Sequence, residues 1–271
     1  MKKCVGLFFA AVFALLLFAF PAFAVEGASL FDSPEVNRLL DQNYAQVKEQ
    51  GWAELRIPKS LHGIGEERFS AGSIAAAKTL IAAGHEAYIV GGAVRDFVMG
   101  KEANDFDIVT DASHDEVAAL LPGVTFHTIQ NGLKFGVAHY EGENVDVATF
   151  VNIPKEYKGV SGVPDFNTDS LYGENALVDS FQRDFTMNAI YYDVKTGDLV
   201  DFHGGLRDIR DKRIATMVSP SLEFGCKPNT LFRGLRFQSR YGFHMDAAAE
   251  KDIKKEYREV RGNHEGLDPF Q

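Results

Sequence analysis

The feature that most restricts this chain is a pair of glycines, Gly91-Gly92, followed one short helix later by Asp105-Phe106-Asp107. Residues 85–90 end in the apolar run Ala87-Tyr88-Ile89-Val90 and lead straight into the glycines, which predicts a strand stopped by a tight turn. The stretch before it, Ser73 through Ile74, Ala77, Leu80 and Ile81 to Gly84, has the apolar spacing and terminal glycine of a helix. Ala93 to Met99 predicts a second, shorter helix whose N-terminus faces the glycine turn, a favourable place for an anion. Phe106, Ile108 and Val109 then suit another strand. Alternate strand residues share a face, so Asp105 and Asp107 present two carboxylates side by side. Like charges that close repel unless a cation lies between them, and Mg²⁺ is the hard ion that carboxylates and phosphates hold together. Glycines without a Cβ let backbone N–H groups close on a phosphate. Together these are the parts of phosphoryl or nucleotidyl transfer. An isolated Asp-x-Asp is far more often a solvated loop pair; the glycines give this one its meaning.

A third acid follows. Residues 132–140 and 143–150, joined by a short turn, predict a hairpin that places Asp146 on its second strand. Read by itself, Asp146 is an edge-strand surface acid; beside the strand of the aspartate pair it reaches the same site. Arg183-Asp184-Phe185-Thr186 offers a planar fork of donors for phosphate oxygens. Asp184 can accept from a ribose hydroxyl or cap a following helix, with Asn188 one turn on. Arg233, Arg236 and Arg240 fall on one helix face, which is either a solvated stripe or an anion contact. Between residues 183 and 240, ten Lys and Arg stand against seven Asp and Glu, although the whole chain carries a formal charge of −10. That local excess favours an anionic ligand.

The run from Tyr88 to Asp107 closely resembles the head domain of class II tRNA nucleotidyltransferases (CCA-adding enzymes) and bacterial poly(A) polymerases, within the polymerase β nucleotidyltransferase superfamily. Phe135-Gly136 through Asp146-Val147-Ala148-Thr149-Phe150 resembles the strand pair bearing that family's third acid. Arg183 to Ile190 resembles its nucleotide-binding motif, and Asp201 to Ile209 with Leu231 to Phe237 resembles the passage from head to neck. The resemblance covers roughly residues 70–245 and implies an α+β fold, a mixed-sheet nucleotidyltransferase head followed by a truncated helical neck. It further implies Mg²⁺ on Asp105 and Asp107, with Asp146 completing the catalytic site. Gly91, Gly92, Arg95 and Asp96 would lie at the triphosphate, with Arg183, Asp184, Asn188, Arg233 and Arg236 around the nucleotide. The implied partners are an NTP (ATP, or CTP) and an RNA 3′ end such as tRNA.

The chain departs from that pattern in places that carry chemistry. Gln182 stands where a second arginine is usual, Val151 replaces another, and residues 152–180 contain no arginine. Cys226, Lys227 and Thr230 stand where Glu, Asp and Arg normally read the edge of the incoming base. Lys has no acceptor and Thr cannot form a bidentate fork. Two further readings therefore stay open: a nucleotide- or RNA-binding protein without catalysis, and nucleotidylation of a small molecule or protein.

Met1-Lys2-Lys3, the apolar run Val5–Phe20 and Ala22-Phe23-Ala24 predict a secretory signal over residues 1–24, hence an exported protein, periplasmic or secreted, with no stable membrane insertion after cleavage. Cleavage removes Cys4 and leaves Cys226 alone, which excludes an intrachain disulfide. Residues 25–69 are expected to form a helical extension, built on the amphipathic stretch 34–50 through Val36, Leu39, Leu40, Tyr44 and Val47. The head is expected over 70–218 and a partial helical neck over 219–271, with a basic helix near 229–241, a charged one near 246–260 and a frayed tail at 262–266. The acidic balance disfavours a long nucleic-acid track.

Overall fold

A computed structural model describes residues 29–128, 133–140, 142–245 and 249–251. The signal segment, the turn residues Gly132 and Glu141, and the C-terminal tail lie outside the described residues, as does most of the charged helix expected near 246–260. No described helix is long and apolar enough to cross a membrane.

The chain opens with helix α1 (Pro34–Gln50), started by Ser33, whose hydroxyl accepts from the Val36 N–H, and stopped by Gly51 at φ 91°. Strand β1 (Leu55–Ile57), helices α2 (Lys59–His62) and α3 (Ala71–Ala82), β2 (Ala87–Val90), α4 (Gly92–Val98) and β3 (Asp107–Thr110) follow. Next come α5 (His114–Leu120), β4 (Thr125–Thr128), β5 (Lys134–Tyr140), β6 (Glu143–Thr149) and α6 (Ala176–Ser180). Then β7 (Ile190–Asp193), β8 (Leu199–Asp201), α7 (Gly205–Arg210), β9 (Arg213–Ile214), α8 (Pro220–Cys226), α9 (Asn229–Tyr241) and β10 (His244–Met245) complete the described chain. The helix–strand–glycine–helix–strand order expected over 73–110 is present, with boundaries shifted by one or two residues.

Eight strands form one mixed sheet in the order β1-β8-β7-β2-β3-β6-β5-β4. β2, buried along its whole length, pairs antiparallel with both β3 and β7. Among the described strands of this sheet only β3–β6 is parallel, with Asp107 opposite Asp146; β9 and β10 form a separate short parallel pair. Along β2, Ala87 and Ile89 enter the larger core under α1, α3 and α4, while Tyr88 and Val90 enter a second core with Val109, Phe150, Tyr191 and Val200. By the same alternation Asp107 shares a face with Val109, and Asp146 with Ala148, so both acids emerge on the second face.

One expectation needs correction. Residues 25–69 are not a purely helical extension, because β1 joins the main sheet through antiparallel pairing with β8. Alternate burial of Leu55 and Ile57 around exposed Arg56 is a strand pattern too short to stand out in the sequence. Val36 and Leu40 of α1 sit in the same core, and Asp41 pairs with Arg207 and Arg210 of α7.

Candidate active site

The carboxylates of Asp105, Asp107 and Asp146 offer oxygens that all lie within 4.8 Å of one another. The parallel β3–β6 register delivers Asp107 and Asp146, and Asp105 stands two residues before the first ladder position. Asp105 is exposed and the other two are half-buried. Burial first, then the charge of Asp105, pushes the Asp107 carboxyl above its ordinary range; Arg183 partly offsets this and Asp146 adds to it. Asp146 is raised for the same leading reasons, burial and Asp105, with His127 opposing. Among the described residues, no Lys or Arg forms an ion pair with any of the three. This arrangement of hard oxygen donors suits a divalent cation.

Gly91 follows the end of β2, at the register position where Val90 faces Asp107. Its φ of 89° and ψ of −137° belong to a region essentially restricted to glycine, and a Cβ here would sit 3.6 Å from Asp107 Oδ2. Gly91 and Gly92 border an open cleft of about 540 Å³ that runs from Asp105 and Asp107 to the arginines of α9.

Arg95 is buried and fully engaged. Its Nε donates to Asp96 Oδ1 at 2.9 Å, one Nη to Asn188 Oδ1, and the other to the Tyr241 hydroxyl at 2.8 Å. Asp96 also accepts from Tyr241, so Asp96 and Arg95 tie α4 to the end of α9 while Arg95 lines the cleft. Arg183 is likewise anchored. Its Nη2 donates to Asp179 Oδ2 at 2.8 Å, and Asp179, wholly buried, also accepts from the Tyr191 hydroxyl at 2.8 Å and the Val151 N–H at 2.9 Å. Burial opposes the charge on Arg183, but Asp179 and the nearby Asp107 hold the guanidinium firmly protonated.

Asp184 accepts from its neighbour's N–H at Phe185 and from Asn188 Nδ2 at 2.8 Å. The segment it closes is a short 3-10 turn, Thr186–Asn188, not the α-helix for which Asp184 could serve as cap. Its second oxygen accepts from Arg233 Nε at 2.6 Å, so Arg233 bridges neck to head. Arg236 and Arg240 are exposed and line the cleft. All the nucleotide candidates except Asp96 border this one cleft, and Asp146 reaches it through the carboxylate group.

At the expected base-reading positions, Lys227 is withdrawn: its Nζ donates to the Gln182 carbonyl at 2.9 Å and lies 3.2 Å from Glu223 Oε1. That ion-pair contact does not meet hydrogen-bond geometry, which leaves Glu223 Oε1 without a donor, and burial raises the Glu223 carboxyl. Thr230, Gln182 and Asn229 border the cleft instead. Sequence reasoning did not single out Asn229 or Asp179; nothing local marks a buried Asp that collects donors from Val151 and Tyr191.

Residues 87–215 match the poly A polymerase head domain. Poly(A) polymerase I of Salmonella typhimurium is 29% identical over 73% of this chain and 43% of its own. The CCA-adding enzyme of Bacillus licheniformis is 37% identical over 63% of this chain and 41% of its own. The chain thus spans less than half the length of these curated relatives. Among solved structures, the Bacillus stearothermophilus CCA-adding enzyme in complex with CTP superposes with a TM-score of 0.59 at 27% identity, covering 70% of this chain and 44% of that one. A tRNA nucleotidyltransferase complexed with a primer tRNA and an incoming ATP analog gives 0.52 at 30% identity, covering 69% and 51%.

Proposed function

We propose that this chain, whose residues 87–215 match the poly A polymerase head domain, transfers a nucleotidyl group from an NTP to the 3′-hydroxyl of an RNA. The observation that carries the proposal is the convergence of Asp105, Asp107 and Asp146 at one end of a cleft whose other end is lined by arginine. One exposed and two half-buried carboxylates that repel one another, and that form no ion pair with Lys or Arg among the described residues, fit Mg²⁺ better than they fit a structural role. Bound by Asp105 and Asp107, with Asp146 beside it, Mg²⁺ would neutralise charge on the phosphoryl oxygens and make the attacking hydroxyl more acidic.

The protein's own groups do the rest. Gly91 leaves the floor beside Asp107 free of a side chain, so a phosphate can come close. Arg183, held by Asp179, supplies a fixed positive charge near Asp107. Asp146, its proton affinity raised by burial, is placed to take the proton of the attacking 3′-hydroxyl. The 3′-oxygen forms a bond to the α-phosphorus, the bond to the bridging oxygen breaks, and pyrophosphate leaves. Catalysis of this kind rests on positioning and electrostatics.

The base is read weakly in this proposal. Lys227 is occupied by Gln182 and Glu223, and buried Thr230 offers no bidentate pair. The proposal also places the protein outside the cytoplasm, supported by Lys2-Lys3, the apolar run and Ala22-Phe23-Ala24. A reporter fused behind residue 40 should lie beyond the inner membrane with Val25 as its first residue; full-length protein in the cytosol would reject export. For the activity, the full chain is incubated with Mg²⁺, each labelled NTP in turn and an RNA with a free 3′-hydroxyl. Extended RNA that disappears with Asp107→Asn supports transfer. Nucleotide binding without extension would support the non-catalytic reading, favoured by the lost base reader, and retire this one.

A further inference from the structure

Five cations gather around two stacked rings on α9. Phe237 and Tyr241 lie one helical turn apart with ring centroids 5.8 Å from each other. Arg95, Arg233 and Arg236 approach the Phe237 ring at 5.2, 5.8 and 5.6 Å. Arg95, Arg240 and Lys101 approach the Tyr241 ring at 5.0, 5.2 and 4.3 Å. Two of the five are neutralised, Arg95 by Asp96 and Arg233 by Asp184. For Arg236, Arg240 and Lys101, no carboxylate partner exists among the described residues, and all three are exposed.

These three form a lane with a direction. Arg236 and Arg240 line the cleft, and as i, i+4 neighbours they stand about 5–6 Å apart at Cβ. Lys101, on the turn after α4, shares the Tyr241 ring with Arg240 but lies outside the cleft lining. The lane therefore starts inside the cleft and leaves it over the lip. An NTP whose α-phosphate sits at Asp105 and Asp107 has no phosphate to send past that lip; a polynucleotide has one at every residue. In a chain of net charge −10, three neighbouring cations with no carboxylate partner among the described residues are a local exception that self-repulsion disfavours unless an anion offsets it.

We propose that Arg236, Arg240 and Lys101 form the exit track for the backbone phosphates of a single-stranded nucleic-acid acceptor whose 3′ end lies at the carboxylates. This rests on the transfer reading for the acceptor's identity, but the track itself is measurable without any transfer. The rings act as a backing: they hold the cationic heads in place by cation–π attraction and leave the donors facing outward. Because only three phosphates are contacted, binding is short-range and its salt dependence shallow, with a slope of about −2 in log–log form.

The test measures fluorescence anisotropy of the full chain with a short labelled single-stranded RNA in EDTA, across a salt series. In parallel, binding of α,β-methylene-ATP is measured in Mg²⁺. Lys101→Ala combined with Arg240→Ala should weaken RNA binding roughly tenfold or more and flatten the salt slope by about 1.4, two contacts at ~0.7 each. Affinity for the nucleotide analogue should fall far less than affinity for the RNA. Lys101→Arg with Arg240→Lys, which keeps both charges, should bind RNA as the parent does, and this separates charge from any loss of packing on Tyr241. Unchanged RNA binding by the double alanine variant overturns the track. An equal loss for RNA and for the nucleotide analogue also overturns it, because the cations would then serve the triphosphate. RNA binding that behaves as expected in a protein showing no transfer would retain the track and reject the catalytic reading alone.

Discussion

Asp107 and Asp179 are the same residue type, both close to Arg183, and the protein treats them in opposite ways. Asp179 is wholly buried and saturated, accepting from Arg183, Tyr191 and the Val151 N–H. Asp107 is half-buried and shares its surroundings with two further carboxylates. Asp201 and Asp208 follow the pattern of Asp179. Asp201 accepts from the backbone of His203, Gly205 and Leu206, and Asp208 from Thr186 and Arg213. A buried acid that collects donors holds the fold together. Acids that gather without donors store repulsion that a bound cation releases. The difference separates scaffold from site even where charge and residue type do not.

The sharpest way to break this contrast is to neutralise one member of each group. Asp107→Asn should cut transfer on the order of a thousandfold, several kcal/mol of transition-state stabilisation, while the metal-free melting temperature holds or rises as repulsion is relieved. Single-turnover extension of RNA and a thermal melt read the two effects; a folded, fully active variant would end the assignment. Asp179→Ala should do the reverse first, costing about 3–5 kcal/mol in urea unfolding by leaving Arg183 as a buried charge without its partner. A change below 1 kcal/mol would show that Asp179 is no anchor.

A smaller effect sharpens the scaffold side. His203 is buried, shares a hydrogen bond of 2.7 Å with the Ser180 hydroxyl, and burial alone pushes its pKa down to about 3. Its folded pKa lies below the ordinary 6.5, so the unfolded chain takes up the proton first and stability drains as pH falls from about 6.5 towards 3. Asp208, raised to about 6, works in the opposite sense over part of that window. His203→Gln isolates the histidine: its unfolding free energy should fall less steeply between pH 7 and 5 than the parent's, by on the order of a few kcal/mol. Parallel curves would show that His203 takes up its proton at the same pH in the fold as in the unfolded chain.

The smallest expected effect concerns base choice. With Lys227 bound to Gln182 and Glu223, discrimination among the four NTPs in kcat/KM should stay within about 1–3 kcal/mol, and no ordered C-then-A addition should occur. Clean C-C-A addition would show that Gln182, Asn229 and Thr230 read bases after all. Placing Asp at 227 to restore the usual carboxylate sets it beside Glu223, so that variant should also lose stability.

Much of this was legible because it is local. The apolar stretch into Gly91-Gly92 announces β2 and its turn, and alternation about Phe106 announces the paired acids. The hairpin carrying Asp146 is likewise local, and only its parallel docking onto β3 had to be seen. What stayed hidden depends on distant partners. Arg95 reads as a free phosphate clamp, yet its donors reach Asn188 and Tyr241 from far along the chain. Lys227 reads as a cation facing the base, but its Nζ turns to Gln182 and Glu223. β1 is too short to show a period and exists because β8 offers it an edge.

The parallel pairing of β3 with β6 has a consequence for how the protein assembles. Between Thr110 and Glu143 the chain must complete α5, β4 and β5 before β6 can lie beside β3. Gly91, Asp105 and Asp107 come together through neighbouring elements, whereas Asp146 arrives only by a long-range contact that closes a large loop. A register slip of a single residue would turn Asp146 to the opposite face. The full set of three acids therefore assembles later than the local β2–β3 pair, though before the longer closures of β7 on β2 and β8 on β1, and under the proposed reading cation uptake in a refolding experiment would report the docking of β6 on β3.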